Sequence, residues 1–370
     1  MPLDVFVYGS GFGESILLIW TERDGAGTRR RAAFVDCYGG DTPDRHPALV
    51  DWKGEGSPSV ALVAITHPHL DHIRNSAVVM AAAGCNADHV VWWGGLTLDR
   101  TCAFYTLMKL VLNQNGEEPA LAAGMTLNLL NELVAVRAGK SAYRTAPGTP
   151  QIHAPVCGVE PIPFYSGATP HGSFEVCAFS PSIGPQTPYV EWVNAQIKSK
   201  GGVTTTEKPK RKGLANATSL GFLILYGNAQ LVLGADVEHE NWVPFRQFCT
   251  TKCRQPFDPV LVKASHHGSA TGVHPDMWPV RRGFFGTGTT PSRHCVVTPW
   301  RKGTRNLPDP VVIEQISKAG YHVWETAPLL PGVDRTTRAA GSFIRFRVDA
   351  STRNVAVQDQ RFCRNTPPVP

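Results

Sequence analysis

The sequence predicts an α/β fold, and three observations carry the prediction. An apolar run, Val60 to Ile65, leads into the turn Thr66–Asn75, and a helical pattern (Ile73, Ala77, Val78, Ala81) follows at once. Strand-length apolar runs recur on both sides of it, bounded by Gly, Pro, Asp or Ser. The same strand–turn–helix theme returns late in the chain, from Cys295 to Trp324.

In chain order, residues 3–8 alternate as a strand, and a glycine-rich turn, GSGFGES, leads into a second strand at Ile16–Trp20. A dinucleotide fingerprint would open a helix rather than a strand, so this turn is read as a tight loop whose N–H groups could meet an anion. A third strand, 31–36, ends in Asp36 and is followed by the His-rich strand in a meander. Residues 87–93 read as a strand. Residues 101–138 read as an inserted helical pair, and 140–172 as irregular, Pro/Gly-rich chain. Further strands are expected at 174–179, 219–226, 230–233, 260–264, 295–298, 321–324, 342–348 and 355–357. Helices are expected at 189–199 and 309–320. One domain is expected over residues 1–358, with the helical insert at about 100–150 and a tail or linker at 359–370. That tail could carry a protein partner.

Composition excludes some classes. No apolar run reaches 18 residues, so no membrane span is expected. The N-terminus lacks a basic region ahead of an apolar stretch and carries Asp4 and Glu14, unlike a secretory signal. Nine scattered cysteines without a CxxC pair suggest reduced thiols and a cytoplasmic setting, with Cys249 and Cys253 as ordinary thiols. The net charge of +6 is compatible with a phosphate-bearing partner. Its basic runs are Arg29–Arg31, Arg281–Arg282, and the loop residues Lys208, Lys210, Arg211 and Lys212. Each is either a solvated loop or a polyanion contact.

The chemistry concentrates at strand ends. His67, His69, Asp71 and His72 are four metal-capable side chains within six residues. Alternate spacing projects His67 and His69 together, while Asp71 and His72 can turn to a second point, which suits two adjacent cations better than one. Asp236 ends a hairpin strand in G-A-D, and His266–His267 end another in S-H-H-G-S. Asp36, also at a strand end, is positioned to orient a ligand histidine.

These motifs together resemble the metallo-β-lactamase-fold hydrolases, and more narrowly the branch that includes the ComEC-like metallo-hydrolase domain. The resemblance rests on H-x-H-x-D-H, the Gly11–Leu18 opening, Phe34–Gly39, N-x-T-S-L at Asn216–Leu220, G-A-D and K-x-x-H-H-G-S at Lys263–Ser269. It implies an αββα sandwich of two mixed β-sheets flanked by helices. It also implies two divalent ions, Zn2+ or Mn2+. His67 and His69 would bind one ion, Asp71, His72 and His267 the other, and Asp236 would bridge them. The superfamily's further histidine, after the strand that here is 174–179, is replaced by Ser180–Pro181–Ser182. Ser182, water or His171 would then complete that site. Asp36, Asp71 and His266 are the catalytic candidates, and Ser269 and Thr298 the substrate contacts.

The resemblance implies a phosphodiesterase or nuclease cleaving DNA or RNA with a metal-activated hydroxide, in bacterial DNA processing or anti-phage defence. Hydrolysis of a small substrate (cyclic nucleotide, phosphocholine ester, lactone or thioester) and a non-catalytic sensing module are the alternatives.

Overall fold

The computed structural model describes residues 2–9, 11, 13–92, 131, 150–188, 191, 216–251, 257–278, 285, 292–302, 305–328 and 342–368. The inserted helical pair apart from Asn131, the helix at 189–199 apart from Glu191, Arg281–Arg282, Cys253 and the basic loop Lys208, Lys210, Arg211 and Lys212 lie outside these residues.

The first part of the chain runs β1 (Leu3–Gly9), β2 (Glu14–Asp24), β3 (Gly27–Cys37), α1 (Pro47–Gly54), β4 (Ser59–Ile65), α2 (Leu70–Ile73), α3 (Ser76–Ala82), β5 (His89–Trp92) and β6 (Gln151–His153). A hairpin follows, β7 (Ile162–Thr169) and β8 (Gly172–Ala178), then β9 (Phe222–Tyr226), β10 (Ala229–Leu233) and α4 (His239–Thr251). The last part holds β11 (Leu261–Lys263), β12 (His294–Val297), β13 (Arg301–Lys302), β14 (Arg305–Asn306), α5 (Pro310–Lys318), β15 (His322–Thr326), β16 (Phe343–Val348), β17 (Val355–Arg361) and β18 (Cys363–Thr366).

Two eight-stranded mixed sheets result, ordered β17-β16-β1-β2-β3-β4-β5-β6 and β18-β15-β12-β11-β10-β9-β8-β7. The period-2 alternation of the strands builds three apolar layers. In β1, Leu3, Val5 and Val7 join Ile16, Leu18 and Trp20 of β2 in the layer between the sheets, where they meet Phe174, Ile224 and Leu231. Phe6, Tyr8, Leu17 and Ile19 point outward, to be covered by Leu49 of α1 and by Val79 and Met80 of α3. Trp242 and Phe245 of α4 and Val312 and Ile316 of α5 cover the outer face of the second sheet. This is the αββα sandwich. Each fully buried large side chain contributes about 1.5–3 kcal/mol from apolar burial, and the shared middle layer joins the sheets into one core.

The structure corrects the sequence reading in four places. β3 and β4 do not form a meander: they pair in parallel, with Phe34 opposite Val63, through the crossover helix α1. A meander would set the end of β3 beside the start of β4. The parallel crossover sets both C-terminal ends on one rim, which brings Asp36 beside the histidines. Within 140–172, read as irregular, residues 151–153 form β6 and residues 162–169 form β7. Its alternating side chains pair with β8, although Pro163 and Gly167 interrupt the pattern. The tail at 359–370 is not a loose linker through Thr366. β17 extends to Arg361, and β18 closes the second sheet against β15, where Arg364 Nε meets the buried Glu325 Oε1 at 3.1 Å. Arg31 is not solvated either, since it is buried with Nε 3.3 Å from Glu22 Oε2.

Among the described residues, seven cysteines stand outside any disulfide. No helix among them is long and apolar enough to cross a membrane.

Candidate metal centre

The chemistry sits where the parallel strands end. Asp36 closes β3, His67–His72 follow β4, Asp236 follows β10, His267 follows β11 and Thr298 follows β12. β10, β11 and β12 run parallel to one another, so their C-terminal ends share one edge of the sandwich. The backbone at these ends is turned sharply. Asp36, Ala235, His266 and His267 all have positive φ (53°, 42°, 46° and 54°). Such left-handed residues cost about 1 kcal/mol or more each, and they persist where surrounding structure holds them to aim a side chain. Gly268, at φ 73°, completes the last turn, and a Cβ there would stand 2.7 Å from Pro308 Cβ.

Among the described residues three groups of metal-capable side chains form: Glu14, Asp36 and His72 lie together, and the other two groups share Asp236. His67, His69 and Asp236 make one; Asp71, His72, Asp236 and His267 make the other. His67 Nε2 lies 3.6 Å from Asp236 Oδ2, while His72 Nε2 and His267 Nε2 lie 3.4 and 3.7 Å from Oδ1. His267 Nε2 is 2.9 Å from Asp71 Oδ2, and His67 Nε2 is 3.1 Å from His69 Nδ1.

Hydrogen bonding behind the ligands fixes their tautomers. Thr66 donates its backbone N–H to Asp36 Oδ1 and its hydroxyl to Oδ2, both at 2.8 Å. Its one hydroxyl proton is thereby used, so in the 3.0 Å contact to His67 Nδ1 the ring must donate. His72 Nδ1 donates to Asp36 Oδ2 at 2.7 Å, and His267 Nδ1 donates to the Thr298 carbonyl at 2.8 Å. In each of the three histidines Nδ1 is engaged behind the site and Nε2 is turned to Asp236, as a metal ligand requires, with Nε2 of His67 also meeting His69 and that of His267 meeting Asp71. Among the described residues, His72 Nε2 and Asp236 Oδ1 are buried without any hydrogen-bond partner. Two unpartnered buried polar atoms facing each other across 3.4 Å are costly unless a proton or a metal cation lies between them.

The electrostatics agree. Burial alone would raise the Asp71 and Asp236 carboxyls, but neighbouring histidines hold both well below the usual range. Burial likewise opposes ionisation of Glu14, yet Lys263, whose Nζ pairs with Glu14 Oε2, brings it below its ordinary value. Asp36 is raised by burial. His67 is pushed well down by burial and by His72, and His69 is lowered by burial, so both rings are neutral ligands near pH 7. Burial disfavours charge on His72, but Asp36, Asp71, Asp236 and Glu14 outweigh it and lift its pKa well above the ordinary value. Buried carboxylates outnumber the one buried ammonium here, so the donor set and its charge fit one or two divalent cations.

Some predicted site residues lie elsewhere. Ser182 is buried, and its hydroxyl and N–H both bond Asn241 Oδ1, at 3.2 and 3.0 Å, apart from either ligand group. His171 is exposed in the β7–β8 turn, where its N–H reaches Thr169 Oγ1, at the opposite end of β8 from Ala178. The histidine–aspartate group is therefore completed by no third-motif residue, and it offers three ligands against four in the other group. Ser269 and Thr298 are also turned inward. Ser269 Oγ caps the next turn by accepting from Gly272 N–H, and Thr298 donates to Glu14 Oε2 at 2.6 Å. His266 remains at the mouth, its side chain 19% exposed, with Nδ1 3.3 Å from Glu238 Oε1 and Nε2 3.9 Å from Asp236 Oδ2.

Residues that the sequence reading gave no role complete the site. The Glu14–Lys263 pair underlies it. Ser219 Oγ accepts from Asp236 N–H at 3.0 Å and stands 3.5 Å from His67 Nδ1. The Trp300 ring stands 5.6 Å from that of His267. Glu14, Ser219 and Lys263 all lie inside the quoted motifs, so the signal was present without its meaning.

Fold and site together define a two-sheet α/β sandwich with a buried His/Asp cluster suited to divalent metal. No family model and no curated protein match the chain. Among solved structures it is similar to a mutant of the CmlA beta-hydroxylase, at 15% identity and a TM-score of 0.32, covering 72% of this chain and 36% of that one. It is also similar to a HARLDQ-motif mutant of the metallo-beta-lactamase from Cronobacter sakazakii (Enterobacter sakazakii), at 13% identity and a TM-score of 0.30, covering 70% and 75%.

Proposed function

We propose that the protein is a metal-dependent phosphodiesterase that cleaves nucleic acid, DNA first among its substrates. The observation that carries the reading is Asp236, one buried carboxylate shared by two ligand groups, with the Nε2 atoms of His67, His72 and His267 turned to it. Bound in such a pair of sites, two divalent cations supply hydroxide at neutral pH and a clamp for a phosphoryl group in in-line displacement.

The chain's own residues do the rest. Asp36 and Thr66 hold His67 and His72 in their ligand tautomers. His266, braced by Glu238, stands at the mouth where it can donate a hydrogen bond to an anionic oxygen. The basic residues Lys208, Lys210, Arg211 and Lys212 and the ComEC-like motifs favour nucleic acid over a lactone or thioester.

The test is cleavage of labelled single- and double-stranded DNA and RNA by protein loaded with Zn2+ or Mn2+, beside chromogenic phosphodiesters, lactones and thioesters. Metal-dependent strand cleavage that is lost with His69→Ala and with Asp236→Ala is expected. Intact nucleic acids beside a consumed lactone or thioester would move the assignment to a small-substrate hydrolase.

A further inference from the structure

We propose that a cleft beside the metal centre is a nucleobase-binding subsite for a nucleotide of the substrate strand; this rests on the phosphodiesterase reading above. The cleft has a volume of about 760 Å³, within the range of small-molecule sites. It is joined to the centre through Gly13. A Cβ at that position would stand 2.4 Å from both the Asp71 carbonyl oxygen and the Tyr38 ring, so Gly13 is wedged between Tyr38 and the backbone of a candidate metal ligand. Arg74, on the same lining, follows His72 by two residues.

The lining has the chemistry of a planar, hydrogen-bonding ligand. The guanidinium of Arg74 lies 5.8 Å from the centroid of the Tyr38 ring, and that of Arg361 lies 5.8 Å from that of Phe343. Both arginines are exposed and, among the described residues, neither forms a salt bridge, so their guanidinium groups, each beside an aromatic ring, are open to a further π-system. At the same lining the Tyr8 hydroxyl donates to Asp51 Oδ2 at 2.6 Å, which leaves the carboxylate with acceptor capacity for the N–H edge of a base. Three arginines and three aspartates line the cleft, so its charge is balanced. A phosphate chain alone gains little in such a place, whereas a base gains from stacking and from edge recognition.

The experiment uses metal-loaded protein and a short phosphorothioate-linked oligonucleotide that resists cleavage, with binding read by fluorescence anisotropy. The same oligonucleotide with abasic sites is the comparison. Wild type is expected to bind the base-bearing strand about tenfold more tightly than the abasic one, and the Arg74→Ala/Arg361→Ala variant to lose about that factor along with the discrimination. Equal binding of the two strands by wild type, or unchanged discrimination in the variant, overturns the subsite. Displacement of the strand by a free nucleoside monophosphate at equal molar affinity would make it a site for free nucleotide instead and overturn the assignment to the strand. Hydrolysis of bis(p-nitrophenyl) phosphate by wild type tests the metal centre separately. Its absence beside base-selective binding sinks the phosphodiesterase reading alone, and its presence without base selectivity sinks the subsite alone.

Discussion

Nε2 of His267 lies 2.9 Å from Oδ2 of Asp71, although 196 residues separate them in the chain. They come from different sheets: Asp71 follows a strand of the first, and His267 a strand of the second. The candidate metal centre therefore spans the sandwich at its rim, and its side chains converge only when both sheets are packed on the shared core. Metal affinity should accordingly report on folding as well as on ligand chemistry.

Asp36 touches no proposed ion, yet it holds His72 through Nδ1 and His67 through Thr66. Replacing it by Asn keeps the shape and removes a charged acceptor. Asp36→Asn is expected to weaken metal binding about 10- to 100-fold, as such outer partners do elsewhere. Titration with a chromophoric chelator measures this, and unchanged affinity would remove Asp36 from the account.

Lys263 and Glu14 form an ion pair whose side chains are 0% and 1% exposed. Removing one partner strands the other charge in the interior. Lys263→Met is expected to cost about 3–5 kcal/mol in chemical denaturation, and Lys263→Met/Glu14→Gln to recover a substantial part of it. Additive losses in the double variant would show that the two charges do not compensate each other.

His294 predicts a pH dependence away from the metal centre. Trp324 Nε1 donates to its Nδ1 at 3.0 Å, and Nε2 faces Ser292 Oγ at 2.6 Å. Burial first, and the neighbouring His322 second, lower its pKa to about 4. The ring is neutral when folded and takes a proton more readily when unfolded, so below the unfolded value of about 6.5 acid favours unfolding. This contribution, at most about 3 kcal/mol, is present above pH 6.5 or so and is lost as the pH falls to about 4. Urea midpoints across that window should slope less in His294→Gln than in wild type; parallel slopes would contradict the assignment.

β18 predicts that the C-terminus is structural. Deleting residues 359–370 removes a strand that pairs Val323–Thr326 with Cys363–Thr366 and takes Arg364 from the buried Glu325. The thermal midpoint should fall by about 5 °C or more. An unchanged midpoint would return this segment to the status of a tail.

How much of this was legible follows from how local each signal is. The His-rich turn, Asp236 and His266–His267 each stand at the end of an apolar strand run, and that pattern lies within about ten residues of sequence. Most of the longer apolar strands were legible for the same reason, while β6 and β7 were not. The Glu14–Lys263 pairing was not, because its meaning depends on two sheets closing on each other. Nor was β18, whose CRNT carries no apolar alternation and owes its strand state to the open edge of β15. The parallel β3–β4 pairing needs α1, and Pro47–Gly54 is a short helix with little apolar periodicity to announce it.

The most direct test is the metal content of the purified protein after saturation with Zn2+ or Mn2+ and removal of free ion, compared with Asp236→Ala. Two ions per chain in wild type and at most one in the variant are expected, since one carboxylate serves both ligand groups. No bound ion in wild type, or equal content in the two proteins, would contradict the shared-carboxylate centre.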